Sequence, residues 1–276
     1  MPKEFTSSEA KKLLPKRLRK DNKTKGGKAL IIAGSSGMEG AAILSATSAA
    51  RSGAGYVYLW SDSKKLLATK NPDFLCLFSF NKFSAQSFSA IGVGPGLKNR
   101  AALKKWIFRL KKNHCKNVVL DAEAINFLSE LKRDQKLPPS WILTPHEGEL
   151  AKLLNVSSVT IRKQRTKYIL LAQKKYGCII LLKGHQTLIA NAKCMKKILV
   201  GNAALSKAGT GDVLTGIIVG FLSQGTSPFE AACLGAYVHG FMSDQWLKDG
   251  NDILSLMASD LIQLLPKTLS NLREQI

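Results

Sequence analysis

The feature that most constrains this chain is an alternation: short β-rich runs closed by glycine or a polar residue, each followed by a stretch of helix length. KALIIAG leads into a helical pattern from Met38 to Ser52, and a strand follows from Gly55 to Trp60. SAIGVG precedes a basic helix over Asn99 to Lys112, and NVVLDAEA follows it. WILTPH then opens onto predicted helices at Glu147 to Leu154 and Thr160 to Tyr176. The strand CIILLKG, a strand pair around QTLIA and KKILV, and three helical segments complete the chain. Strands separated by crossover helices pair in parallel and need cover on both faces. The expected fold is therefore α/β, a three-layer sandwich with a mostly parallel central sheet and helices on both faces. In such sheets ligands gather at the carboxyl ends of the strands.

A chain of 276 residues sits at the upper range for one hydrophobic core, and no internal repeat, low-complexity tract or long linker divides it. Residues 1–276 are expected to form a single domain, with residues 1–28 as a basic N-terminal arm interrupted by Pro15 and ended by Gly26-Gly27. A hydrophobic content of 45% and a mean hydropathy of -0.02 exclude a disordered chain. No apolar run reaches the roughly 18 to 20 residues of a membrane span, and the N-terminus lacks the apolar centre of a signal peptide. A cytoplasmic location without a membrane partner is expected. The five cysteines are scattered, have no CxxC spacing, and read as incidental or buried thiols. A net charge of +22 attracts polyanions, although much of it, as at Lys104, Lys105, Lys111 and Lys112, reads as the solvated face of predicted helices. With 7% aromatic residues and no recognisable RNA- or DNA-binding motif, the expected polyanions are small phosphorylated molecules and not nucleic acid.

The most informative stretch is GNAALSKAGTGDVLTGIIVGFLSQG, in which the turn Ala208-Gly209-Thr210-Gly211-Asp212 opens an apolar helical pattern. Glycines let backbone amides crowd toward an anion, and the start of a helix holds a phosphate or a developing oxyanion. Gly209, Thr210 and Gly211 are the expected anion hole. Asp212, ionised at pH 7, can accept a hydroxyl proton while that oxygen is phosphorylated, so it is the candidate catalytic residue. The plainer alternative is a helix cap.

Three other strand ends carry candidates. Lys183-Gly184-His185-Gln186-Thr187 joins two strands, and Lys183 is placed to meet a nucleotide phosphate, although a β-turn with a surface lysine explains the run equally well. In Thr144-Pro145-His146-Glu147-Gly148-Glu149, His146 can reach a substrate or serve structure alone. Glu147 and Glu149 suit a helix N-terminus or help hold magnesium through water, with Glu149 the possible metal contact. Gly34-Ser35-Ser36-Gly37-Met38-Glu39-Gly40-Ala41 and Gly92-Val93-Gly94-Pro95-Gly96-Leu97 can pack closely on a ligand. Neither supports a Rossmann or Walker site. Asp121, in VVLDAEAIN, completes the set, with a helix cap as its alternative.

Taken in order, LLPKR, IIAGSSGMEGAAILSATSAARSGAGYV, IGVGPGL, VLDAEAIN, LTPHEGEL, LLKGHQTLI, GNAALSKAGTGDVLTGIIVGFLSQG and AACLGAYVHG resemble the ADP- or ATP-dependent NAD(P)H-hydrate dehydratase family over nearly the whole chain. The resemblance implies a ribokinase-like fold, magnesium, ADP or ATP as phosphoryl donor, and a homotetramer. It places nucleotide contacts at Lys183, Gly184, His185, Gln186, Thr187 and Gly211, and substrate contacts at Ala41, Gly96, His146 and Asp212. The implied reaction restores NADH or NADPH from NADHX or NADPHX: the ring hydroxyl is phosphorylated, and phosphate then leaves. The chain departs from the family pattern at Glu147, where proline is usual, at Ala203, Lys207 and Ala208, and at Lys98 after GPGL. The length leaves no room for an epimerase half, so dehydration alone is expected. A small-molecule kinase of the same fold, acting on a vitamin precursor or a sugar, is the rival reading.

Overall fold

Along the strand Lys28–Ile32, Ala29 and Ile31 face one way and Leu30 and Ile32 the other, and all four are fully buried. A strand apolar on both sides belongs inside a sheet covered on both faces. The same alternation recurs in Ile179–Leu182, where Ile179 and Leu181 join one core and Ile180 and Leu182 the other. The computed structural model describes residues 2–68, 73–78, 84, 87–131 and 136–274.

The strands are β1 (Lys3–Glu4), β2 (Lys28–Ile32), β3 (Tyr56–Trp60), β4 (Leu75–Cys76), β5 (Ala90–Val93), β6 (Val118–Leu120), β7 (Ile142–Leu143), β8 (Ile179–Leu182), β9 (Leu188–Ala190) and β10 (Met195–Lys197). They form one sheet in the order β1-β10-β9-β8-β7-β6-β5-β2-β3-β4. Only β9 runs against its neighbours; the other described pairings are parallel. The sheet is therefore mostly parallel, as the alternation of strands and helices requires.

Helices α1 (Ser7–Leu13), α2 (Glu39–Arg51), α9 (Thr210–Ser223), α10 (Pro228–Lys248) and α11 (Ala258–Glu274) contribute to the core on the face of Ala29 and Ile31. Helices α4 (Arg100–Lys112), α5 (Glu123–Ser129), α6 (Glu147–Leu154), α7 (Ser158–Lys163) and α8 (Arg165–Tyr176) contribute to the core on the opposite face. A short α3 (Lys64–Ala68) follows β3. Two helical layers around one sheet are the expected three-layer sandwich. The basic helix α4 explains its own charge: Leu103, Trp106, Ile107 and Leu110 are buried at helical spacing, and the lysines take the outer side.

Two expectations need correction. Residues 1–28 are not an arm as a whole, because β1 pairs with β10 and Phe5, Ala10 and Leu14 are buried in the main core. Of the charges that suggested an arm, Lys11 and Lys12 sit on α1, whereas Lys16, Arg17, Arg19, Lys20, Lys23 and Lys25 lie on the irregular segment and 3-10 turn that lead into β2. The helix expected from Thr160 to Tyr176 is two helices, because Gln164 leaves helical geometry at φ -140° and ψ 47°. Neither glycine nor proline marks that break, so periodicity alone does not reveal it. Among the described residues, no helix is long and apolar enough to cross a membrane.

Candidate functional site

Because β2, β3, β5, β6, β7 and β8 run in parallel, their carboxyl ends lie along one edge of the sheet. A cavity of about 790 Å3 opens there, with the N-terminus of α9 on its wall. Asp121 follows β6, His146 and Glu149 follow β7, and Lys183 follows β8; all four line it.

The floor of the cavity is a charge cluster. Lys183 Nζ donates to Asp121 Oδ1 at 2.8 Å and stands 3.8 Å from Glu149 Oε2. The second Asp121 oxygen, Oδ2, accepts from Thr215 Oγ1 of α9 at 2.8 Å. Asp121 is 2% exposed, so a carboxylate buried this deeply requires these partners. It is not a helix cap: Ala122 occupies the cap position of α5 at φ 48°, a strained backbone for alanine. Gly94, at φ +121°, makes room for this turn, since a Cβ there would lie 2.0 Å from the Asp121 carbonyl oxygen.

Burial pulls the Lys183 ammonium toward neutrality, but Asp121 and Glu149 outweigh it, and its pKa is raised above the ordinary lysine value. Burial pushes the Glu149 carboxyl up, with Lys183 opposing. Lys183 thus meets two carboxylates directly, where the sequence suggested a lysine facing a phosphate alone.

Asp212 is the third residue of α9, within its first turn. Burial, and after it the negative charge of Asp121, pushes its pKa up to about 7, with Lys183 pulling the other way. The sequence expectation of a carboxylate fully ionised at pH 7 is corrected: these neighbours poise it between its two forms. Its cap alternative also fails. Gly209 holds the cap position at φ 89°, and no side chain caps α9. A left-handed residue there is a natural place for glycine. Helix geometry leaves the Gly211 and Asp212 amides without acceptors inside the helix, aimed into the cavity mouth with the positive end of the dipole. Gly209, Thr210 and Gly211 all line the cavity.

The Lys183–Thr187 turn also lines the cavity. Gln186 adopts φ 55°, and Thr187 Oγ1 donates to the Gly184 carbonyl at 3.0 Å. His146 caps α6: its Nδ1 accepts from the Gly148 and Glu149 amides, and Glu149 Oε2 accepts from the His146 amide at 2.8 Å. Structural capping and a place on the cavity wall therefore coincide in His146, whose side chain is 60% exposed. Glu147, by contrast, turns away to Arg162 and Arg165.

Ala41 and Gly96 are not among the residues lining this cavity. They touch each other, since a Cβ on Gly96 would lie 2.9 Å from the Ala41 Cβ. The same helix reaches the site one turn later, where Ser45 Oγ donates to the Asp212 carbonyl at 3.0 Å. His239 is a residue that motif reading passed over. It lies in α10 within AACLGAYVHG, 8% exposed, with Nε2 2.9 Å from the Thr210 carbonyl. A carbonyl only accepts, so Nε2 carries the proton. Burial holds the imidazole pKa down to about 4, so it stays neutral. A histidine inside an apolar helical pattern is its only trace in the sequence.

A family model for NAD(P)H-hydrate dehydratase matches residues 29–267. The chain is 32% identical over 272 residues to the ADP-dependent (S)-NAD(P)H-hydrate dehydratase of Bacillus subtilis, covering 95% of this chain and 96% of that one. Its structure is similar to the crystal structure of the ADP/ATP-dependent NAD(P)H-hydrate dehydratase from the same organism, co-crystallized with ATP/Mg2+. That match has a TM-score of 0.87 and 29% identity, and covers 98% and 99% of the two chains. A ribokinase-like superfamily protein from Enterococcus faecalis has the same fold, with a TM-score of 0.85, 24% identity, and 99% and 97% of the two chains covered. The chain also spans about half the length of bifunctional NAD(P)H-hydrate repair enzymes, 54% of the one from Moorella thermoacetica. With a match of this extent, the chain belongs to the NAD(P)H-hydrate dehydratase family.

Proposed function

We propose that the protein is an ADP-dependent (S)-NAD(P)H-hydrate dehydratase, which restores NADH and NADPH from NADHX and NADPHX. The observation that carries the reading is Asp212, a carboxyl poised near pH 7 beside free helix amides in a cavity that Lys183 also lines. A general base works best when its pKa lies near the working pH, and phosphoryl transfer depends chiefly on positioning and charge stabilisation.

In this reading ADP lies against Lys183, Gly184, His185, Gln186, Thr187 and Gly211, and the hydrate contacts Ala41, Gly96, His146 and Asp212. The ring hydroxyl attacks the terminal phosphorus of ADP and gives its proton to Asp212. An oxygen–phosphorus bond forms, the bond to the nucleotide breaks, and AMP leaves. The Gly209, Thr210 and Gly211 turn holds the charge on the transferred group. The carbon–oxygen bond of the phosphate ester then breaks, driven by the ring nitrogen's lone pair, and loss of the neighbouring carbon's proton completes the dihydronicotinamide.

Among the described residues no cluster of three or more His, Cys, Asp or Glu side chains forms a metal cage. A buried carboxylate such as Glu149 suits a magnesium ion that keeps several waters and takes its other ligands from phosphates. Bound there, magnesium would neutralise phosphate charge. A homotetramer and a cytoplasmic location belong to the same reading, supported by the family resemblance.

The test is to incubate the protein with magnesium and NADHX, adding ADP, ATP or neither, and to follow the absorbance of the reduced nicotinamide. Nucleotide-dependent recovery of NADH is expected, with ADP as donor. No recovery with either nucleotide from folded protein would refute the dehydratase reading and favour the small-molecule kinase.

A further inference from the structure

Glu147 starts α6 and points away from the cavity, which leaves its purpose open. Its Oε1 lies 3.2 Å from Arg165 Nη1, and its Oε2 accepts from Arg162 Nε at 2.9 Å. The two partners differ in kind. The Arg162 side chain is 71% exposed, where an ion pair contributes little, whereas that of Arg165 is 16% exposed. Arg165 also donates through Nη2 to the carbonyls of Leu182 at 3.1 Å and Lys183 at 3.2 Å. These are the last residue of β8 and the first of the turn that follows.

We infer that Arg165 is a positioning residue for the nucleotide turn: anchored on Glu147, its guanidinium clamps the Leu182 and Lys183 carbonyls and sets where residues 183–187 stand. The planar fork of arginine suits this work, since it reaches one carboxylate and two carbonyls in fixed directions. The fit is close, because a Cβ on Gly184, at φ +128°, would come within 2.7 Å of Arg165 Nη1. Gln164 breaks the helix immediately before Arg165, and so separates α8 from α7 at the residue that makes the clamp. The arrangement also ties two cavity walls together. Glu147 is joined in the chain to His146, and the carbonyl of Lys183 belongs to the residue whose ammonium binds Asp121.

The role of the turn in holding ADP rests on the proposed function; the clamp itself does not. Two measurements separate them. Hydrogen exchange on Arg165→Met should show faster exchange across residues 184–187 without nucleotide, while the β8 amides stay protected. Direct titration with ADP should show affinity weakened by roughly tenfold. In turnover the KM for ADP should rise, with kcat and the KM for hydrate nearly unchanged. Arg165→Lys, which keeps the charge on a single donor nitrogen but loses the planar fork, should fall between, and Glu147→Gln should show the same pattern more weakly while leaving Arg165 in place. Unchanged exchange in a folded Arg165→Met would overturn the clamp. Faster exchange with unchanged ADP affinity would refute its bearing on nucleotide binding. If the unaltered protein bound no ADP, the proposed function would fail, and exchange would still decide the clamp.

Discussion

Lys183 Nζ lies 2.8 Å from Asp121 Oδ1, and both charges of the pair act on Asp212, in the cavity that all three line. Burial raises the Asp212 pKa most, Asp121 adds to the rise and Lys183 opposes it.

Asp212→Asn removes the proposed proton acceptor without removing a cap, since no side chain caps α9. We expect kcat to fall by about 100-fold or more. The melting temperature should change little, because the carboxylate's helix-dipole contribution, up to about 2 kcal/mol when partly buried, is opposed by the burial that raises its pKa. Retained turnover would exclude this residue as the base.

The pH profile follows from the same group. With a pKa of about 7, Asp212 is deprotonated above that pH and protonated below it, so kcat/KM should fall as pH drops through 7. Asp121→Asn removes the neighbouring negative charge that raises this pKa. Its acid limb should therefore move to lower pH, whatever happens to the maximal rate. An acid limb at unchanged pH in this variant would show that another group titrates.

His239 makes stability depend on pH in a definite direction. Its folded pKa is about 4 against an ordinary 6.5, so between these values the unfolded chain binds a proton that the folded chain refuses. Stability is thus lost as pH falls through that window, by about 3 kcal/mol from this group alone. His239→Gln keeps a donor for the Thr210 carbonyl and cannot titrate. Denaturant unfolding at a series of pH values should show a flatter curve for the variant; parallel curves would contradict the assignment.

Gly216 lies where α9 crosses α2. A Cβ there would meet Ser48 Oγ at 2.0 Å and the Ser45 carbonyl oxygen at 2.2 Å, so Gly216→Ala forces the two helices apart. Overpacking of this kind costs about 1 to 3 kcal/mol, and the melting temperature should fall accordingly. Because Ser45 Oγ holds the Asp212 carbonyl in the same interface, turnover at a temperature where the variant is folded should fall as well.

How much of this was legible in the sequence depends on whether a signal is local. Each strand and helix carries its own periodicity, and the strands' two-sided apolar character indicates a covered parallel sheet. Strand ends marked by Asp121, His146 and Lys183 predict the site edge for the same reason. The contact between Lys183 and Asp121 spans 62 positions, and the bond from Ser45 to Asp212 spans 167; neither leaves a local pattern. The break at Gln164 lacks a breaker residue, and the bond of the next residue, Arg165, to the Leu182 carbonyl exists only once the sheet is assembled. Residues 1–28 misled because lysines conceal the spacing of Phe5, Ala10 and Leu14.

The sheet's outermost strands, β1 and β4, are each described as only two residues long. An unpaired strand edge is a template on which another chain can add, and long flat edges invite aggregation. Here Lys3 and Glu4 put exposed opposite charges on one border, which offers an incoming strand few backbone groups and a mismatched surface. One of the sheet's shortest elements thereby guards a ten-stranded sheet against edge-on growth at that border.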